Sequence, residues 1–230
     1  MFSLVFAVLA AAQLGLAVAA GRHWRASPNL LAAVPTLVCS ALFWDNGVIA
    51  VGSLKGAGPL LQGLNVPRFA LHALLTPLLV LWSLAAANHA GVPWARRKGV
   101  RGAAVGLTAL LMAAGALHDI FGLSLRTERW ADTLRYVNDA SSPTGPLPAI
   151  VTGLVVLATG VVLWRHAGFA WLALTAAVMV AVSGAGAQVP VLGNAGEVVL
   201  NVGLLLTLRR FRPQGGRNVV PAVGPRTATH

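Results

Sequence analysis

The sequence predicts an all-α integral membrane bundle of seven transmembrane helices, with the N-terminus outside and the C-terminus in the cytoplasm. Three observations carry this. First, 57% of the 230 residues are hydrophobic and 10% are charged, whereas soluble domains carry about 25% charged residues. Mean hydropathy is +0.74. Second, the apolar residues fall into seven continuous stretches, 2–20, 30–51, 67–87, 100–122, 148–166, 169–190 and 192–208. A helix crossing the ~30 Å hydrocarbon core needs about 20 such residues, and it satisfies its own backbone hydrogen bonds in lipid. A membrane β-barrel would instead show alternating segments of about ten residues. Third, the basic residues collect on alternate connections: Arg22 and Arg25, then Arg96, Arg97, Lys98 and Arg101, then Arg165 and His166, then Arg209, Arg210, Arg212, Arg217 and Arg226. The opposite connections are neutral or mixed. This is the positive-inside pattern.

The first stretch resembles a signal peptide at Ala17, Ala19 and Ala20. It has no basic n-region, and Arg22 and Arg25 follow it, so a retained helix is expected. The second starts near Asn29 and carries Cys39, a small apolar packer. Asp45 lies sixteen residues beyond Asn29, about 24 Å across at 1.5 Å per residue, flanked by Trp44 and Asn46. The third starts at Pro67 after a long outer connection, Lys55 to Asn65. Arg68 and His72 share a helical face, Thr76 continues that stripe, and Pro77 is placed to kink the helix.

The fourth stretch carries Gly102 and Gly106 at a spacing that suits close helix approach, with His118 and Asp119 at its outer end. A long outer connection follows, Ser124 to Pro148, with Trp130, Tyr136, Asp139, Pro143 and Pro146. Residues 126–137 are expected to form a short amphipathic helix in the interface. The sixth stretch ends at Gln188, and Gly184 and Gly186 read as helix packing rather than a nucleotide loop. The seventh carries Asn194, Glu197 and Asn201 on one stripe. Residues 1–212 read as one domain. Residues 213–230 read as a disordered basic tail resting on anionic lipid headgroups.

The net charge of +11 is accounted for by the topology, so nucleic-acid binding is not expected. The expected location is a bacterial-type cytoplasmic membrane. Lone Cys39 supports no disulfide framework.

Asp45, His72, His118, Asp119 and Glu197 come from four stretches and all fall in the outer half of the bilayer. Ionisable groups inside a membrane are costly and mark function by default. Structural readings stand beside this one. Arg68 can snorkel to headgroups or pair with Asp45. His118 and Asp119 can form a helix-end pair facing water. Glu197 resists such explanations most, because it lies well inside the seventh stretch. His23, His89 and His166 read as surface histidines at the cytoplasmic boundary.

The inner halves of the stretches hold little besides Ala, Val and Leu, which points to a blind pocket rather than a conduit. An apolar pocket with acids and amides at one end suits a lipid-like substrate. Phe43, Trp44, Phe69, Trp82, Phe121, Trp130 and Tyr136 are placed to wall its outer part, where aromatic faces would stabilise cations, or to serve the interfacial aromatic belt. A carboxyl group there would serve as a Brønsted acid.

Seven helices in 230 residues, with acids at Asp45 and Glu197 on the second and seventh, resemble the small integral-membrane terpene cyclases of fungal meroterpenoid and bacterial indole-sesquiterpenoid pathways. The resemblance covers the chain as topology. It implies cyclisation of a prenyl chain by protonation of an epoxide or alkene, with no metal and no organic cofactor. Asp45 or Glu197 would donate the proton, and the other would orient it or take the final proton. Asn46, Arg68, His72, His118, Asp119, Asn194 and Asn201, with Trp44, Phe69 and Phe121, would support the acid and hold an isoprenoid substrate. The sequence contains no DDxxD, NDxxDxxxD, DxDD, GxGxxG or P-loop pattern. Metal-assisted diphosphate ionisation and nucleotide binding are therefore not expected. Three other readings stay open: a haem- or metal-binding redox protein using His72 and His118, a proton-coupled transporter, and a non-catalytic partner subunit.

Overall fold

The computed structural model describes residues 1–140, 147–186 and 189–212. It is an all-α bundle of long apolar helices, and the protein is a multi-pass integral membrane protein. Six helical segments are long and apolar enough to cross a bilayer, and a seventh, shorter apolar helix completes the bundle. The helices are α1 (Phe2–Ala26), α2 (Leu30–Lys55), α3 (Pro59–Leu75), α4 (Leu78–His89), α5 (Lys98–Ala116), α6 (Leu147–Ala167), α7 (Trp171–Gly186) and α8 (Pro190–Phe211). The third crossing is α3 and α4 together. Below, "outer" means the side that the basic connections leave free.

The third crossing starts at Pro59, not Pro67, so most of the expected outer connection is helix. Gly58 has φ +156°, a conformation that suits glycine. Pro59 at the first helical position has its φ preset for the helix and no N–H to leave unsatisfied. Pro67 is accommodated inside α3. Pro77 breaks the crossing as its fixed ring and missing donor require, with α3 ending at Leu75 and α4 starting at Leu78. The inner piece, α4, packs against α6, whereas the outer piece, α3, packs chiefly against α2 and α5. Space opens between α3 and α6 in the outer half.

Residues 126–137 do not form an interfacial helix. They form a two-stranded antiparallel hairpin, β1 (Leu125–Trp130) and β2 (Thr133–Asn138), with Trp130 opposite Thr133 and Leu125 opposite Asn138. Thr127, Trp130, Thr133, Tyr136 and Val137 favour a pleated, half-buried strand, and β2 buries Thr133, Leu134 and Tyr136. Aromatic and apolar residues set among charges fit either element as a pattern; the close packing of Leu134 on Gly52 favours the strand. A Cβ at Gly52 would overlap the Leu134 carbonyl oxygen.

The hairpin is fastened to three helices. Asp132 in its turn accepts the Phe2 N–H at 2.7 Å and the Ser3 N–H at 3.2 Å, and it pairs with the Met1 amine. These amides belong to the first turn of α1, whose donors have no partner within the helix. The Ser53 hydroxyl on α2 donates to the Asp132 carbonyl. On α3, Asn65 Oδ1 accepts the Tyr136 N–H at 3.2 Å. Tyr136 packs with Val48, Leu61 and Leu134 in a small cluster beneath the hairpin.

The main core fills the inner half. It gathers Ala20, Leu31, Val34, Trp82, Ala86, Leu163, Leu172, Leu204 and Leu208 from six helices. Trp82 is wholly buried here and donates to the Leu31 carbonyl at 3.1 Å, so it walls no outer pocket. Small residues close α7 onto its neighbours: a Cβ at Gly160 would crowd the Ala173 backbone, and one at Gly203 would overlap Thr175 Oγ1. Gly102 and Gly106 meet nothing within 4 Å of a built Cβ, so the close approach expected of them is not made within this chain. The fourth crossing ends in one widened turn, Leu117–Phe121. Gln188, Pro143, Pro146 and the tail 213–230 lie outside the described residues.

Candidate functional site

A cavity of about 690 Å³ lies in the outer half, walled by α2, α3, α6, α7 and α8. Its walls are mostly aliphatic: Val38, Leu42, Leu71, Leu75, Leu79, Ile150, Leu154, Val156, Met179, Val180 and Leu200. Its polar groups are Asp45, Arg68, His72, Thr76, Thr152, Ser183, Asn194, Glu197 and Asn201. A second, smaller space of about 360 Å³ adjoins it, bordered by Phe69, Ala73, Gly115, Asp119 and Pro148. Asp45, Arg68, His72, Thr76 and Ala149 border both, so the two spaces meet at the outer end.

Helical spacing delivers these groups. On α8, Asn194, Glu197 and Asn201 fall at i, i+3 and i+7 and face inward together. On α3, Arg68, His72 and Thr76 do the same at intervals of four. Asp45 projects between them from α2.

Asp45 is not a free acid. Arg68 Nε donates to Asp45 Oδ1 at 2.7 Å, and Asn194 Nδ2 donates to Asp45 Oδ2 at 3.0 Å. The pair ties α2 to both α3 and α8. Arg68 is engaged further. Its Nη1 donates to Asn65 Oδ1 and, at 3.4 Å, to the Tyr136 carbonyl. The guanidinium also lies 5.8 Å from the Phe69 ring centre. The ion-pair reading of Asp45 and Arg68 is thus realised, and Arg68 does not reach for headgroups.

Glu197 differs. Its Oε2 is shielded from solvent and has no hydrogen-bond partner among the described residues, while the residue lines the larger cavity. Native structures rarely leave a buried polar atom unpaired, and an exception asks for a role or an unseen partner. Deeper in, Asn201 Nδ2 donates to Gln13 Oε1 at 3.0 Å, joining α8 to α1.

Other expected site residues lie elsewhere. His118 Nδ1 meets Asp119 Oδ1 at 2.8 Å, and its Nε2 faces the Ala140 carbonyl at 3.3 Å. Asn138 Nδ2 donates to Asp119 Oδ1 at 3.2 Å and to the His118 carbonyl at 3.1 Å. The pair therefore anchors the hairpin's end; Asp119 borders the smaller space, and His118 borders neither. A His72–His118 axial pair is not formed by this geometry, because both ring nitrogens of His118 are directed at other partners. Asn46 is wholly buried, donates to the Leu42 carbonyl at 2.8 Å, and borders neither cavity.

The expected aromatic wall is not found around the larger cavity: among the described residues its lining contains no Phe, Trp or Tyr. Phe121 is 80% exposed on the lipid face. Phe43 and Trp44 are partly exposed, and Trp44 donates to the Leu64 carbonyl at 3.2 Å. Trp130 stacks edge-on against Phe2 at 4.6 Å. These side chains fit the interfacial belt, where a half-polar ring is most comfortable. Phe69 alone among them borders the smaller space.

Sequence reading overlooked Gln13, Thr152 and the bonding role of Asn65. Gln13 is the only amide in an otherwise apolar first crossing, which is a usable signal. Asn65 had been placed in a connection rather than one turn before Arg68 on the same helix. Among the described residues, no group of three or more His, Cys, Asp or Glu is gathered as a metal site would require.

The chain matches no protein-family model and no curated protein. Fold and cavity together define it as a multi-pass helical membrane protein with an aliphatic chamber in the outer half of the bundle.

Proposed function

We propose that this protein is an integral-membrane enzyme acting on an isoprenoid-type lipid, with Glu197 as the Brønsted acid of a class II cyclisation. The observation that carries this reading is Glu197, which lines an aliphatic cavity and whose Oε2 is shielded and has no hydrogen-bond partner among the described residues. A cavity of about 690 Å³ falls within the roughly 300–1,000 Å³ of small-molecule sites. Asp45, Arg68, His72, Asn194 and Glu197 supply polar groups toward its outer end, which would orient a chain whose tail lies against the aliphatic wall.

In this reading the Glu197 proton passes to an epoxide oxygen or a terminal alkene carbon of the chain. For an epoxide, the C–O bond breaks as the neighbouring π bond closes the first ring, and positive charge moves to carbon. The Asn194 and Asn201 carbonyl dipoles and the Glu197 carboxylate then face the cation. His72 takes the proton lost when the last cation becomes an alkene, so the reaction is an isomerisation overall. Asp45 holds Arg68 and Asn194 in place and does not donate. This divides the two acids by partner: one is spent in an ion pair, and the other lines the chamber with its Oε2 unpaired among the described residues.

The test is incubation of membranes containing the full chain with epoxy-farnesylated and farnesylated acceptors, with product analysis by mass spectrometry. Ring-closed products are expected from the wild type. Glu197→Gln should lose about 10²–10⁴-fold in rate, the usual share of a general acid. Undiminished cyclisation by Glu197→Gln overturns the assignment of the acid.

A further inference from the structure

We propose that Asp45 sets the headgroup selectivity of the chamber: by occupying Arg68 it makes the site take a lipid chain with an uncharged polar head and exclude anionic lipids. This rests on the reading that the cavity receives a lipid chain, but not on the reaction that follows.

Among the described residues, Arg68 is the only Lys or Arg bordering either space, so it is the permanent cation that a phosphate or carboxylate head would meet there. Its Nε and Nη1 donors are already used, and Asp45 balances its charge. Nε is committed to Asp45, and Nη1 to Asn65 and the Tyr136 carbonyl. The pair is largely shielded, with side-chain exposures of 9% for Arg68 and 20% for Asp45. An incoming anion must either displace Asp45, leaving a carboxylate without its counterion, or sit beside it. Both are unfavourable where the effective dielectric is low. The other acids bordering the spaces, Glu197 and Asp119, add no attraction for an anion.

An uncharged head meets no such barrier. His72 and Thr76 border both spaces, and neither side chain is hydrogen-bonded among the described residues. A hydroxyl or carbonyl head at the junction would find donors and acceptors there, while its chain fills the aliphatic part. Specificity then comes from what is rejected as much as from what is held. Most outer-leaflet lipids with a phosphate and no compensating charge would be turned away.

The experiment measures equilibrium binding of two probes with the same tail, tritiated farnesol and tritiated farnesyl phosphate, to the purified full chain in nanodiscs of uncharged lipid. Farnesol should bind at least tenfold more tightly than farnesyl phosphate. Asp45→Asn should narrow or reverse that ratio by tenfold or more, chiefly by strengthening the phosphate probe. Equal or tighter binding of farnesyl phosphate by the wild type overturns the proposal, as does an unchanged ratio in a folded Asp45→Asn variant. If that variant fails to fold, the wild-type ratio decides, with Leu42→Phe as the control that both probes occupy the cavity. Failure of both probes to bind overturns the proposal together with the lipid-chain reading. Equal binding of both overturns selectivity alone and leaves that reading standing.

Discussion

Arg68 Nε lies 2.7 Å from Asp45 Oδ1, joining the outer half of the third crossing to the second. Both side chains are mostly shielded, and each has a further partner, Asn194 for Asp45 and Asn65 for Arg68. The pair therefore links α2, α3 and α8 at the point where the two cavities meet. Its energetics follow from burial. A shielded pair contributes little net stability compared with an apolar filling, but removing one member strands a charge.

Asp45→Asn should accordingly lower stability by about 3–5 kcal/mol, the range for breaking a buried pair. Asp45→Asn combined with Arg68→Gln should recover a large part of the loss. Thermal unfolding in detergent, followed by circular dichroism across the double-mutant cycle, measures this. A double variant whose loss equals the sum of the two single losses would show that the pair is not coupled.

Asp132 should make the hairpin's attachment acid-sensitive. The Met1 amine, with the Phe2 and Ser3 amides, holds its carboxyl well below the usual carboxylate range. A folded-state value below the unfolded one means that the attachment is at full strength above the ordinary Asp value of about 3.9. It weakens as pH falls below that value toward the folded-state one. Protection of residues 125–138 against hydrogen exchange, relative to the intrinsic rate at each pH, should therefore fall in acid. Asp132→Asn should show quickened exchange at neutral pH, with much less further change on acidification.

Gly52→Ala should loosen the same hairpin from a different side. The added methyl would overlap the Leu134 carbonyl oxygen, and backbone cannot swing aside as a flexible side chain can. Overpacking of this kind costs about 1–3 kcal/mol. The loss should appear as faster exchange in β2 and a lower Tm. Gly47→Ala, on the same helix with nothing within 4 Å of its Cβ, is the matched control: exchange in β2 should stay unchanged, and Tm should hold or rise because alanine is the better helix former.

Leu42→Phe should reduce ligand binding without reducing stability. Leu42 lines the larger cavity, so the extra atoms enter open space rather than a filled core. Added apolar contact should hold Tm constant or raise it slightly. Binding of a farnesyl-chain probe should weaken at least tenfold. A variant that binds normally would place the chain elsewhere.

The hairpin turn supplies one more test. Ala131 has φ +51°, in the left-handed region that costs a non-glycine residue about 1–2 kcal/mol. Ala131→Gly should relieve part of that and raise Tm. An unchanged or lower Tm would mean that unfolded-chain entropy offsets the relief.

The helices were legible because lipid imposes one strong rule, that backbone polar groups be satisfied within a span, and apolar runs of the right length follow from it. The stripes Arg68/His72/Thr76 and Asn194/Glu197/Asn201 were legible for a similar reason: helical periodicity is a property of the local chain. The Pro77 break was visible as well, since the proline ring acts on its own helix. The start of α3 was misplaced because Pro67 looked like a helix start, although Pro59 after Gly58 provides the better one. The hairpin was misread because its alternation of apolar and charged residues fits two elements, and the contact that decides between them is with α2.

Sequence alone determined the membrane class, the succession of apolar helices and which residues share a helical face, all consequences of short-range rules. Only the tertiary structure decided what each group became. It set Asp45 against Arg68, left Glu197 Oε2 without a partner, turned His118 toward Asp119 and the hairpin, and moved the aromatic side chains out of the chamber. Those outcomes depend on the break of the third crossing at Pro77, which gives α3 and α4 different neighbours, and on which side chains then meet across helices. Residues far apart in the chain acquire their chemistry from that meeting, and helical periodicity carries no record of it.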